Sequence, residues 1–258
     1  MTTARNIWII CQKELRSYFV SPIAYILIII YATLFGFFFW SMVGAFVYYS
    51  MESQMRGEMY PMNVNEQIVR QLLGNINVIN LLLIPLMTMR LFAEEKRNGT
   101  IELLATSPVR DGEVIFGKWL ASVILYTAML LFTGLNFVFL FKYGNPDWKP
   151  IAVSFLGVLL QTAALLAIGI FISTLTKNQI IAGTVTFGVC LLIFVLGWVG
   201  EYQFSTWAQV ATYLSTTTHM QSFLKGVIDT KDAVYYVSAI FLGLFLTARS
   251  LESSRWRA

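Results

Sequence analysis

The chain has 258 residues, of which 57% are apolar and only 12% charged, with a mean hydropathy of +0.67 and a formal net charge of +4. A soluble domain of this size would leave much of that apolar surface facing water, so the composition excludes one and requires lipid as the covering solvent. A crossing takes roughly 20 apolar residues, and the sequence divides into six such runs: an all-α integral membrane protein with a single transmembrane domain over residues 1–258.

Residues 4–20 place Ile7, Ile10, Cys11, Glu14, Leu15 and Tyr18 at three- and four-residue spacing beside Arg5, Lys13 and Arg16. That spacing predicts an amphipathic helix lying in the membrane interface. The apolar patch is broken by Lys13 and Glu14, so no cleaved signal peptide is expected. Spans are expected over 24–49, 72–89, 119–141, 151–175, 179–197 and 233–248. Between the second and third lies a charged segment, 90–118, and between the fifth and sixth an outer segment, 200–232, with Trp207, Tyr213 and Phe223 suited to short helices at the membrane surface. Cys11 and Cys190 fit neither a disulfide framework nor a metal site and read as packing residues.

Lysine and arginine set the orientation. With the N-terminus inside, the inner segments hold 12 and the outer segments 6 of these residues, so both ends are expected in the cytoplasm.

The segment 90–108 reads as two short helices, the first continuing the second span. The first ends at Asn98-Gly99, where glycine suits the left-handed residue after a helix and Lys96 and Arg97 suit the negative end of the dipole. The second takes Thr100 as N-cap with Glu102 in its first turn, presents Ile101, Leu104 and Ala105 as an apolar stripe beside Leu103, and stops at Pro108. On these features alone it is either an ordinary charged loop or a rigid surface on which a soluble partner pushes.

Within the spans, Asn77 and Asn80 share a helical face, and Gln161, Thr162, Thr184 and Thr186 add further polar groups. Such side chains either hold helices together or line a path across the membrane. No acidic or basic residue lies deep in a span, which argues against a proton relay. The stretch from Gly112 to Trp119 follows G-x-x-x-x-G-K but ends in Trp119, where a phosphate-binding loop needs a hydroxyl for Mg²⁺. No cofactor site, catalytic constellation, metal site or nucleic-acid surface is therefore expected in this chain. His219, the sole histidine, is read as a polar anchor at the outer face.

The K-E-L of residues 13–15 and the run E-K-R-N-G-T-I-E-L-L-A-T-S-P over 95–108, followed by Gly117-Lys118, resemble the signature of the ABC type-2 permease family. The stretches 17–25 and 226–236 resemble its gliding-motility-associated branch most closely. The resemblance implies a non-catalytic membrane subunit of a bacterial inner-membrane exporter. Its coupling helix, 94–108, would dock on cytoplasmic ATPase subunits, two in number, that bind ATP and Mg²⁺. Glu94, Glu95 and Glu102 would meet basic or polar groups there, with Gly99 and Thr100 shaping the turn and Ile101, Leu103 and Leu104 packing it. A second permease copy or similar subunit, the lipid bilayer and a periplasmic or membrane accessory protein are the other partners implied. An alternative is a mechanotransmitter that passes ATPase motion to a periplasmic partner without moving a solute. The outer segments are short for a docking surface and the spans carry few charges, which favours transport, and of an amphiphile or lipid-linked substrate rather than a small ion.

Overall fold

A computed structural model describes residues 3–56, 63–100, 109–202 and 206–255, and among these the regular structure is helical without strands. The helices are α1 (Thr3–Val20), α2 (Ile23–Arg56), α3 (Arg70–Thr88), α4 (Ala93–Arg97), α5 (Asp111–Thr133), α6 (Leu135–Tyr143), α7 (Trp148–Leu175), α8 (Gln179–Tyr202), α9 (Thr206–Leu214), α10 (Thr216–Leu224) and α11 (Thr230–Arg255). A π-helical turn, Asn65–Val69, leads into α3.

Among the described residues, six helical segments are long and apolar enough to cross a membrane: Ile23–Arg56, Asn65–Arg97, Asp111–Tyr143, Trp148–Leu175, Gln179–Trp198 and Thr230–Ser253. Two of them are interrupted. Pro85 lacks the N–H that would close the bond to Leu81, and α3 ends a turn later at Thr88, before the short helix α4 resumes. The third is broken at Gly134, between α5 and α6. Helix α1 precedes these spans and packs along α5, while α9 and α10 sit at the opposite end of the bundle between α8 and α11.

Helix α7 is the hub. Its most apolar stretch is 67% buried, against 22% for α2, 17% for α8 and 22% for α11, and it touches α3, α5, α8, α10 and α11. The exposed flanks of the outer helices, including Phe37 and Trp40 on α2, Leu192 on α8 and Phe241 on α11, provide the apolar surface that lipid covers. Towards the end bearing α9 and α10, Phe137 of α6 lies 6.3 Å from Phe35 of α2 and 5.3 Å from Phe155 of α7, centroid to centroid, an aromatic layer joining three spans.

A second layer, of polar groups, lies near the middle of α3. Asn80 Nδ2 donates to Thr162 Oγ1 at 3.0 Å, and Tyr126 donates its hydroxyl hydrogen to Asn80 Oδ1 at 2.9 Å; Tyr31 stands 3.5 Å from Tyr126, oxygen to oxygen. All four side chains are buried, so α2, α3, α5 and α7 are linked by hydrogen bonds that lipid cannot replace. Replacing Asn80 by leucine removes its bonds to Thr162 and Tyr126 and is expected to lower stability by about 1 kcal/mol. Thr184→Val, at an exposed site on α8, should leave stability unchanged. Thermal unfolding of the purified variants in one detergent separates the two outcomes.

Candidate functional site

The densest cluster of charge among the described residues lies where α1, α4 and α5 meet. Helix α1 can reach α5 because Gly117 has no side chain: a Cβ there would stand 2.8 Å from Ile10 Cγ2 and 3.1 Å from the carbonyl oxygen of Ile7. Asn6 Nδ2 reinforces the contact by donating to Glu113 Oε2 at 2.9 Å, and the same oxygen accepts from Arg110 N at 3.3 Å at the start of α5. Cys11 is buried on α1, and that burial, with the Glu14 carboxylate second, pushes its thiol pKa up.

Two turns into α5 the side chain of Lys118 is only 2% exposed, and its ammonium is enclosed by acceptors. Nζ donates to Glu14 Oε1 of α1, to Glu95 Oε1 of α4 and to the carbonyl oxygen of Leu91, each at 2.9 Å. An ammonium has three N–H bonds, and all three are used. The ring of Phe92 lies 5.1 Å below it, a cation–π contact closing the apolar side. Arg90 lies over the ring of buried Tyr18 at 4.3 Å, and Tyr18 donates its hydroxyl hydrogen to the carbonyl oxygen of Met87 at 2.7 Å, tying α1 to the end of α3.

Helix α4 is also fastened to the hub. Ser173 Oγ of α7 accepts from the backbone N–H groups of Phe92 and Ala93 at 3.1 Å each, satisfying two donors at the helix start, and donates to the Met89 carbonyl at 3.3 Å. Lys96 Nζ donates to the carbonyl oxygen of Thr174, and Thr174 Oγ1 donates to Ser250 Oγ of α11 at 2.8 Å. Five residues of helix therefore connect α1, α5, α7 and, through Thr174, α11.

The outward side of the cluster is open. A cavity of about 460 Å³ is lined by Glu14, Arg90, Glu94, Glu95, Thr100 and Lys118 among others. Glu94, Gly99 and Thr100 are exposed there. Gly99 has φ of +71°, the left-handed residue that ends α4, and Thr100 Oγ1 turns back to donate to the Glu95 carbonyl at 3.4 Å. Glu95 points the other way, inward to Lys118, with its second oxygen buried and unpartnered by hydrogen bonds. Ile101, Glu102, Leu103, Leu104 and Pro108 lie outside the described residues.

The intramembrane polar residues separate into different environments. Asn80 and Thr162 belong to the buried network, and Gln161 is buried beside them in sequence with its amide nitrogen unpaired. Asn77 is half-buried and donates to the Gly74 carbonyl of its own helix at 3.0 Å. Thr184 is exposed and bonds its own helix at Ile180. Sequence reasoning quoted Gly117-Lys118 and the K-E-L of residues 13–15 as parts of one family signature, but it placed neither Lys118 nor Ser173 in a site and did not reveal Lys118 as the partner of Glu14.

An all-helical bundle with six membrane-crossing segments, a charged end and an opposite end built from short helices is a multi-pass membrane protein. The chain belongs to the ABC-2 transporter family: it matches the family described as ABC-2 family transporter protein over residues 48–248. It is thus a membrane subunit of an ABC transporter, a component that associates with ATPase subunits and the bilayer. The match begins within α2, so the contact of Glu14 with Lys118 joins a helix outside the matched region to one within it. Comparison with the curated proteins returned no match.

The lysine is the keystone of the cluster. Lys118→Met leaves Glu14 and Glu95 facing each other across a buried gap and is expected to destabilise the protein by about 3 kcal/mol or more. Removing the charge from one partner as well, in the double variant Lys118→Met/Glu14→Gln, should restore part of that loss. Unfolding in a single detergent, compared across the double-mutant cycle, measures both effects.

Proposed function

We propose that the chain is the permease subunit of an ABC exporter in which residues 94–108 receive motion from a separate ATPase and pass it to the spans. The observation that carries this reading is the anchoring of α4. It is bonded to α1 and α5 through Lys118 and to α7 through Ser173 and Lys96, so a displacement at its exposed end is transmitted to several helices together. Glu94 and Thr100 face outward beside the cavity, where basic or polar groups of an ATPase would be recognised. Glu95 contributes from behind, by holding the element on Lys118.

In this reading ATP and Mg²⁺ are bound by two ATPase subunits, and closure of those subunits drives the change between two states through contacts that differ in each. Two permease copies, or one with a similar subunit, frame the pathway. Asn80, Thr162 and Tyr126 are occupied with each other inside one copy, which supports a pathway along outward faces such as that of Thr184 rather than through the centre of the bundle. The charged end is cytoplasmic and the membrane is the bacterial inner membrane, as the distribution of lysine and arginine and the family's signature support. The likeness of residues 17–25 and 226–236 to the gliding-motility branch supports placing it there, and the substrate is an amphiphile or lipid-linked molecule.

The test is the turn at Gly99. A β-branched residue at φ of +71° is strained, so Gly99→Val should preserve insertion and co-purification with the ATPase while reducing transport-stimulated ATP hydrolysis several-fold. Full stimulated hydrolysis by this variant in proteoliposomes would overturn the assignment of residues 94–108 as the coupling element.

A further inference from the structure

At the opposite end of the bundle, His219 of α10 is 5% exposed and lies between two acceptors. Its Nδ1 is 2.7 Å from Asp232 Oδ1, in the first turn of α11, and its Nε2 is 3.0 Å from the carbonyl oxygen of Tyr213, in the last turn of α9. A carbonyl oxygen only accepts, so Nε2 carries a hydrogen; a carboxylate only accepts, so Nδ1 carries one too. The arrangement is complete when the ring is an imidazolium. Three features of the surroundings match that arrangement. The ring of Tyr235 stacks on it at 3.9 Å and 19°. It sits at the negative end of the α9 dipole, while Asp232 occupies the positive end of α11. Asp232 is 3% exposed, and its other oxygen is buried without a hydrogen-bond partner, so His219 is the group that compensates its charge.

The same ring joins three helices, and two neighbouring tyrosines complete the joint. Tyr235 donates its hydroxyl hydrogen to the Leu214 carbonyl and Tyr236 to the Thr216 carbonyl, each at 2.7 Å. We infer that His219 and Asp232 form a proton-dependent clamp that holds the α9–α10 hairpin on the start of α11, closed when the imidazole is charged and released when it loses its proton. On deprotonation the ring keeps one hydrogen, on Nδ1 towards the carboxylate, and the Nε2 lone pair then faces the Tyr213 carbonyl oxygen at 3.0 Å, a repulsive contact that the two tyrosine bonds alone must withstand.

The other ionisable groups around α10 do not duplicate this role. From α9 the ring of Tyr213 meets His219 edge-on. From α11, besides Tyr235 and Tyr236, Lys231 approaches Asp232 but makes its hydrogen-bonded ion pair with Asp229 at 3.1 Å in solvent. Arg70 of α3 reaches Gln221 rather than His219, and Lys225 and Lys149, at the end of α10 and the start of α7, are exposed.

Distances between spin labels at Gln209→Cys on α9 and Lys142→Cys on α6, in a Cys11→Ser, Cys190→Ser background of the full chain in nanodiscs, test the clamp. Across a series of buffers from about pH 5.5 to about pH 9, a single narrow distribution should give way to a broad one as pH rises. Asp232→Asn supplies an amide hydrogen to the unprotonated Nδ1, so this variant should stay narrow throughout. A distribution in the unsubstituted clamp that does not change with pH overturns the inference, as does broadening of the Asp232→Asn variant in parallel with it.

Discussion

The architecture of the charged end depends on the solvation of one ammonium group. Lys118 is taken out of water at the start of a membrane span, a transfer that is strongly unfavourable unless its charge and all its N–H bonds are compensated. Compensation arrives from three directions: a carboxylate of α1, a carboxylate of α4 and a backbone carbonyl left free by the break after α3. Since each donor bond has one partner, none of these elements can move away alone without exposing an unpaired charge. Helix α1, the short helix α4 and the third span are thereby made to share a position.

The rest of the bundle distributes that constraint. Ser173 and Thr174 at the end of α7 connect α4 with the most buried helix and with α11, and the network of Asn80, Tyr126, Thr162 and Tyr31 keeps α3, α5, α7 and α2 in register farther along. In lipid these bonds have no competition from water. A bundle so connected favours displacement of packed helices as a group over the sliding of single ones, which suits a membrane subunit of an ABC transporter. The two ends differ in how they are held: the charged end by an ammonium with three acceptors, the opposite end by an imidazole between two.

Much of this was legible along the chain. The six apolar runs, the amphipathic stretch before them and the turn at Gly99 follow from local properties, since hydropathy, helical periodicity and the steric freedom of glycine act within a few residues. The helix ends shifted where local rules compete: α2 continues past the apolar run to Arg56, and Pro85 brings α3 to an end before α4 resumes. Glu94 and Glu95 looked equivalent as neighbouring acids, yet one is exposed and the other turns to Lys118. Asn77 and Asn80 likewise looked alike, yet Asn80 hydrogen-bonds to another helix while Asn77 bonds its own.

The sequence by itself determined that this is a multi-pass helical membrane protein with a basic bias toward one end, because the free energy of transfer into lipid accumulates additively over each span. Only the tertiary structure decided that Glu14, Glu95 and Lys118 share one charge cluster and that His219 finds Asp232 and Tyr213. These groups are brought together by helix packing, and the attraction between them becomes strong once they are close together in a site from which water has been removed. Separation along the chain carries no trace of such a meeting.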